Sequence, residues 1–490
     1  MKTLRLLERS KSFWFIFTNL LLFFFLRFPS LFEPYWYGDE GIYQVLGMGI
    51  NNGRILYQQI FDNKPPLLYI FYSLFNGDQF YLRLASLVFG FFAIVTFFYL
   101  AKKLFKKNNA AYISTFLFTF LFGLPLIEGN IANAENFMLF PILSALYLAI
   151  DHINTKLERK MFFWSGIILG IAFLFKIVAV FDFLTLLIFL LIIRTPKILG
   201  IKLKSQLFLE LKDLYSLIIG FLIPIIVTAI YFISINAYSD FITATFFSNV
   251  GYVGYHNKLI IPQGFLILKL ILLSLFILFV FARRNKLSTE AIFIWTWLSF
   301  SLFNALFSQR PYTHYLLTLL PSFALLIGLL FVDKKFLKFN LLLSVTVIII
   351  AQSNFWIYSK NLKYYKNFID FTIGNKSVSS YQNFFDRNTP VDYQISRYIK
   401  GKINLNDSIF IWGNNAQLYK LTGKLPPGKY AVAYHIVNYK DGLKNTGEQL
   451  EKIKPKIIIN MPNVANYPFS LSHYKPSIMI NNVQIYERVF

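Results

Sequence analysis

The residues with the clearest chemical potential lie close together early in the chain, where Gly38-Asp39-Glu40-Gly41 is followed by Asp62-Asn63-Lys64-Pro65-Pro66. Adjacent carboxylates repel, so the Asp39–Glu40 pair is comfortable only beside a cation or a metal, or where a proton is to be moved. A second account stays open: Gly38 and Asp39 could start a helix over 40–50, an end that acids favour. Lys64 shifts the balance, because Pro65 and Pro66 restrict the backbone around it. A cation held in that way suits a phosphate, and a nearby acidic pair suits a hydroxyl or a divalent cation. Arg83, in Phe80-Tyr81-Leu82-Arg83-Leu84, either snorkels to lipid headgroups or clamps a second phosphate oxygen. Lys176 and Asp182 fall at the junction of two apolar runs, where snorkelling is the simpler account.

The elements that must position these groups are membrane spans. Of 490 residues, 56% are hydrophobic and 15% charged, with a mean hydropathy of +0.52. A soluble domain is about 45–50% apolar and about 25% charged, so an ordinary soluble enzyme is excluded. Eleven apolar runs, near 13–31, 81–101, 110–127, 137–151, 161–176, 178–193, 214–235, 264–282, 289–307, 313–332 and 339–358, approach the roughly 20 residues that cross a bilayer. The first has a basic flank (Lys2, Arg5, Arg9, Lys11) but no small-residue cleavage site after it, and reads as an uncleaved span.

With Met1 cytoplasmic, the inside segments hold 22 Lys and Arg, Lys106, Lys156 and Lys202 among them. The outside loops 35–80, 123–136, 236–263 and 308–312 hold only Arg54, Lys64, Lys258 and Arg310. This asymmetry is the positive-inside pattern, and it sets the N-terminus inside and residues beyond 358 outside. It also absorbs much of the +24 formal charge. Nucleic-acid binding, which needs basic residues gathered on one folded face, is therefore not expected. Without cysteine there is neither disulfide nor thiolate metal site.

Past residue 360 the hydrophobic runs shorten to strand length: Ile409 to Trp412, Tyr430 to Ile436, Lys456 to Ile459 and Val483 to Tyr486. Helix-like stretches alternate with them, which predicts a small α/β domain. The expected organisation is an α-helical polytopic membrane domain over 1–358, with an outward catalytic loop 35–80, followed by an extracytoplasmic α/β domain over 359–490. The 18 basic and 8 acidic residues from 360 onward are most simply a solvated face.

A first span, Gly-Asp-Glu, Lys64-Pro65-Pro66, Arg83-Leu84-Ala85-Ser86 and Asn133-Ala134-Glu135-Asn136, in that order, resembles the bacterial protein O-mannosyltransferase and aminoarabinose transferase relatives of the glycosyltransferase C superfamily. The resemblance covers about 10–332. It implies an inverting membrane glycosyltransferase that moves a sugar from a polyprenyl-phosphate donor to a lipid, glycan or protein acceptor at the outer face of the cytoplasmic membrane. Matched by position, the first-loop acid falls on Asp39 with Glu40 beside it, and the phosphate-contacting lysine on Lys64. The second-loop acid falls on Glu135, with Glu128 competing, although Glu135 also suits the start of a helix at Phe137. Arg310 and His314 fit a late donor-phosphate contact, or anchor their span at the interface. Asp39 and Glu135 are the candidates for a divalent metal, the one cofactor the resemblance leaves open. A transporter or flippase of lipid-linked sugars is the alternative. It should show charged or broken helices near the midplane and internal repeats, and neither stands out.

Overall fold

The computed structural model describes residues 2–489 apart from 106, 154, 156, 200–203, 254–261, 309 and 463. Lys106, Lys156, Lys202 and Lys258 of the charge count, and Gln309 of the late loop, lie outside the described residues.

Each of the eleven apolar runs is helical. Among the described residues eight helices, from Ser10–Phe32 to Leu337–Asn354, are long and apolar enough to cross a membrane. The other three runs are shorter or more polar: Asn108–Gly123 has 16 residues, Thr289–Ala305 has 17, and the 18 of Glu158–Phe175 begin Glu158-Arg159-Lys160. The chain is a multi-pass membrane protein.

By contacts the chain divides into two compact units. The first joins Met1–Phe28, Ala85–Tyr231 and Ser248–Asn361, and is a helical bundle. Within it Ala134–His152 packs on Glu158–Phe175, and Leu316–Val332 packs on both Asn108–Gly123 and Thr289–Ala305. Between lipid-bathed helices there is little hydrophobic drive, so close backbone approach does the holding. Gly166 and Gly220 show it: a methyl group on either would fall 2.2 Å from the Leu217 carbonyl oxygen or 2.1 Å from that of Phe163. Lys176 and Asp182 do not snorkel. Lys176 breaks the helix after Phe175 and turns onto Glu135, while Asp182 is buried and accepts a hydrogen bond from Trp297 Nε1 at 2.8 Å.

The second unit joins Pro29–Leu84, Phe232–Phe247 and Leu362–Phe490. Its sheet has strands β1 (Ile409–Trp412), β2 (Ile457–Asn460), β3 (Tyr474–Ile480) and β4 (Val483–Arg488) in the order β1-β2-β4-β3. β1 and β2 are parallel, joined by a helical crossover as parallel pairs require. β3 and β4 form a hairpin turned by Asn481 and Asn482, both left-handed (φ 47° and 67°), the backbone of a type I′ turn. Three of the four expected strand segments are strands. The fourth, Tyr430 to Ile436, instead enters the helix Ala433–Asn438, where Tyr430 and His435 pack on Phe61 with ring centroids 5.3 and 5.5 Å away. β3 escapes the hydrophobic pattern because it is an exposed edge strand carrying Lys475 and Pro476.

Candidate active site

In the second unit, the helix Gly38–Asn51 starts directly after extended Tyr37, with Asp39 and Glu40 in its first turn. Successive positions on a helix point about 100° apart, so the two carboxylates separate instead of repelling. Glu40 turns inward and is 1% exposed. There the Arg83 guanidinium meets it as a fork, Nε to Oε1 at 3.1 Å and Nη2 to Oε2 at 2.6 Å. Arg83 Nη1 reaches Glu33 Oε2 and the Ser30 carbonyl, both at 2.8 Å. Glu33 is closed by the Trp36 indole N–H at 2.7 Å and the Tyr364 hydroxyl at 2.6 Å. Arg83 therefore neither snorkels nor faces water: its side chain is fully buried among two acids and a carbonyl.

Asp39 stays at the surface, its side chain 37% exposed, accepting a hydrogen bond from Tyr43 one turn on at 3.2 Å. Lys64 Nζ stands 4.0 Å from Asp39 Oδ2 and 3.4 Å from Asp62 Oδ2, over the Tyr43 ring at 4.9 Å. Its backbone is pinned on both sides. The Lys64 N–H donates to Tyr69 Oη at 3.0 Å, and its carbonyl accepts from the Tyr57 hydroxyl at 2.6 Å. Tyr57 itself is held in a left-handed conformation (φ 68°), rare for a residue with a side chain.

Asp62, 1% exposed, also accepts from the Tyr69 hydroxyl at 2.7 Å, and His435 Nε2 lies 3.7 Å away. Burial opposes its charge, but the Lys64 ammonium, His435 and the Tyr69 hydroxyl outweigh burial and hold it below the usual carboxylate range. His435 moves the other way: burial pushes it down to about 4, against the attraction of Asp62. It is neutral at physiological pH, and its buried Nδ1 has no hydrogen-bond partner among the described residues.

A pH prediction follows with its sign. A histidine whose folded pKa lies near 4 instead of 6.5 contributes stability that is fully present above 6.5 and lost as pH falls toward 4. At about 1.4 kcal/mol per pKa unit, the loss is of the order of a few kcal/mol. The difference in melting temperature, His435→Gln minus wild type, should therefore rise between pH 7 and pH 4. A difference that stays flat or falls on acidification would remove His435 from the titration.

The first unit holds a second cluster. Glu135 opens the helix Ala134–His152 and is buried, with the Lys176 ammonium hydrogen-bonded to Oε1 and His314 Nε2 at 3.8 Å. His314 Nδ1 lies 2.9 Å from Glu128 Oε2, and the Thr313 hydroxyl donates to Glu128 Oε1 at 2.7 Å. Glu128 itself is left-handed (φ 59°), rare for a residue with a side chain. Glu128 and Glu135 thus share one histidine, and the Lys176 ammonium also sits 4.8 Å over the Tyr315 ring. Arg310 is half-buried two residues ahead of Tyr312, which stacks on His314.

The predicted residues therefore form two groups: Asp39, Glu40, Lys64 and Arg83 in one unit, and Glu135 and His314 in the other. Sequence reasoning did not assign Asp62, Tyr43, Tyr69, Glu33, Lys176 or His435 to them. Tyr43 was findable, four residues after Asp39 on one helix face, and so was Asp62, two before Lys64. His435, far along the chain, had no local signal.

Residues 64–209 match the dolichyl-phosphate-mannose-protein mannosyltransferase family. In fold, the chain is similar to ArnT from Cupriavidus metallidurans, solved with undecaprenyl phosphate bound. The identity is 12%, the TM-score 0.58, and 98% of each chain is covered. The apo form of that protein matches at 13% identity and a TM-score of 0.57, again over 98% of each chain. The Archaeoglobus fulgidus oligosaccharyltransferase matches at 14% identity and a TM-score of 0.45, over 91% of this chain and 67% of its own. A search of curated proteins finds no match. The chain therefore shares its fold with ArnT, and the family match covers residues 64–209 of it.

Proposed function

We propose that the chain transfers a sugar from a polyprenyl-phosphate donor to a lipid, glycan or protein acceptor, with Asp39 as the base and Lys64 at the donor phosphate. One observation carries this reading: Asp39 and Lys64 are the partly exposed carboxylate and ammonium of a frame otherwise buried and pinned, and they face one another at 4.0 Å. ArnT binds undecaprenyl phosphate, and a donor of that chemistry suits Lys64 here. In the reaction, Asp39 takes the proton of the acceptor hydroxyl or amine as its oxygen or nitrogen attacks the anomeric carbon. The bond from that carbon to the phosphate oxygen breaks, its electron pair leaves with the polyprenyl phosphate, and Lys64 faces the growing charge. One direct displacement inverts the anomeric centre.

Glu40 acts by holding the first turn of the Asp39 helix on Arg83. Glu135 is the second acid, held by Lys176 and His314, with Arg310 and His314 assigned to the donor side by the resemblance. No step is routed through a divalent cation. Asp39 already faces an ammonium, and among the described residues no three His, Asp or Glu side chains gather as a metal cage.

Lys64→Ala tests the assignment. Donor affinity, read by titration with a polyprenyl phosphate, should fall much more than acceptor affinity, because Tyr57 and Tyr69 fix the Lys64 backbone and leave only its ammonium to be lost. Equal weakening of both substrates would argue for a merely structural lysine.

The sidedness belongs to the same reading: N-terminus cytoplasmic, residues 359–490 an extracytoplasmic domain after a membrane domain over 1–358. Reporter fusions after Lys107 and after Lys360 should report opposite sides of the membrane. The same side for both overturns that topology.

A further inference from the structure

The second unit carries a cavity of about 220 Å³ that the transfer reaction does not use. Its polar lining is Asn388, Asp392, Asn414, Asn415 and Asn481, and its apolar lining includes Val391, Met461 and Val483. We infer that this cavity binds a neutral carbohydrate unit, one sugar ring with its hydroxyl groups on the carboxamides and a C–H face on the apolar side. The inference goes beyond the transfer reaction, since it concerns a binding site with its own ligand.

Chemistry selects that ligand class. A carboxamide carries N–H donors and a carbonyl acceptor, the mixed pattern that a hydroxyl can meet in either sense. Here Asn415 already donates to Asp392, Asn481 donates to Gln394 at 3.4 Å, and Asn414 Oδ1 accepts the Tyr434 N–H at 3.1 Å, which leaves the other groups for a ligand. No lysine, arginine or histidine lines the cavity among the described residues, so a phosphate or carboxylate would find no counter-charge. The cavity, about 220 Å³, has room for several water molecules. That is the scale of one sugar ring.

Asp392 gives the cavity a built floor. It is 1% exposed, and three amide N–H contacts reach it: Asn415 Nδ2 at 3.1 and 2.9 Å, and Gln417 Nε2 at 3.1 Å. A carboxylate has about four acceptor sites, so one stays open toward a ligand hydroxyl. Burial, with the Asp386 charge nearby, pushes Asp392 up to about 7 despite those donors.

The floor also leads to the catalytic helix. Gln417 is seated on Gly41, where a methyl group would fall 2.6 Å from the Gln417 backbone nitrogen. Gly41 follows Glu40 and lies two residues from Asp39. A ligand that tightens Asn415, Asp392 and Gln417 therefore tightens the contact on which the Asp39 helix rests. Only the glycine allows that closeness.

The test is saturation-transfer NMR on the full chain in lipid nanodiscs, which avoids sugar-based detergents. The probes are the methyl glycosides of glucose, galactose, mannose and N-acetylglucosamine, with inorganic phosphate as competitor. At least one glycoside should receive saturation from the wild-type chain, and phosphate should not displace it. The double variant Asn388→Ala, Asn414→Ala changes two exposed residues and removes one hydrogen bond, from the Tyr434 N–H to Asn414 Oδ1 at 3.1 Å, so its melting temperature is measured alongside and should be unchanged. The variant should weaken binding about tenfold or more, the effect of losing hydrogen-bonding partners. Lys64→Ala should leave glycoside binding intact, so a failure of the donor assignment reads separately from a failure here. No signal from any glycoside, an unchanged signal in the double variant, or displacement by phosphate would overturn the inference.

Discussion

Asp39→Asn should lower turnover by about 10²–10⁴-fold, the usual cost of a positioned base, while the chain still folds, inserts and binds its donor. The substitution is close to isosteric. Asparagine keeps a carbonyl oxygen for the Tyr43 hydroxyl that now reaches Asp39 at 3.2 Å, and the side chain stands partly in water, so packing changes little. What disappears is the ability to accept a proton, together with the negative charge 4.0 Å from the Lys64 ammonium. Freed from that neighbour, Lys64 should hold the donor phosphate as well as before or better. A fall in kcat with donor affinity kept or raised is therefore the expected signature, measured by initial rates and by polyprenyl-phosphate titration on the same preparation. Near-normal transfer would take Asp39 out of the mechanism and return it to the helix-start role that its position equally allows.

How much of this was legible beforehand varies with the kind of signal. Spans were legible because a bilayer imposes long apolar runs, and all eleven became helices; the three that fall short as spans are those in which charge or brevity dilutes the run. Strands β1 and β2 showed as apolar stretches because they are almost wholly buried, and β4 because Val483 and Ile485 alternate inward, whereas β3 did not, because its side chains face solvent. In the site, types and spacing found Asp39 and Lys64, since a Gly-Asp-Glu and a Lys-Pro-Pro are local patterns. Pairings across distance were not available. Nothing in the chain order says that Arg83 spends its guanidinium on Glu33 and Glu40, that Lys176 turns onto Glu135, or that His435 comes within 3.7 Å of Asp62. Each of these is a desolvated charge meeting its partner, and the partner is chosen by packing and not by sequence proximity.

That distinction gives the second large effect. Arg83→Met should destabilise the chain by about 3–5 kcal/mol, the cost of leaving buried charges without a partner. Two carboxylates are involved. Glu33 and Glu40, both with side chains almost fully excluded from water, would lose their shared cation and face each other's charge, with Glu33 keeping the Trp36 and Tyr364 donors. Arg83→Lys should fall between, because a single ammonium cannot reproduce the fork that spans both oxygens of Glu40 while Nη1 covers Glu33 and the Ser30 carbonyl. Removing the acids along with the cation should recover most of the loss: in the triple variant Glu33→Gln, Glu40→Gln, Arg83→Met, no uncompensated charge remains. Thermal denaturation of the purified chain, followed by loss of monodisperse protein, ranks the four forms. Because Glu40 adjoins Asp39 in one helical turn, turnover should drop in the single variant and partly return in the triple one. An Arg83→Met chain as stable as wild type, with only its donor affinity reduced, would instead make Arg83 the phosphate clamp that its place at the mouth of the second span first suggested.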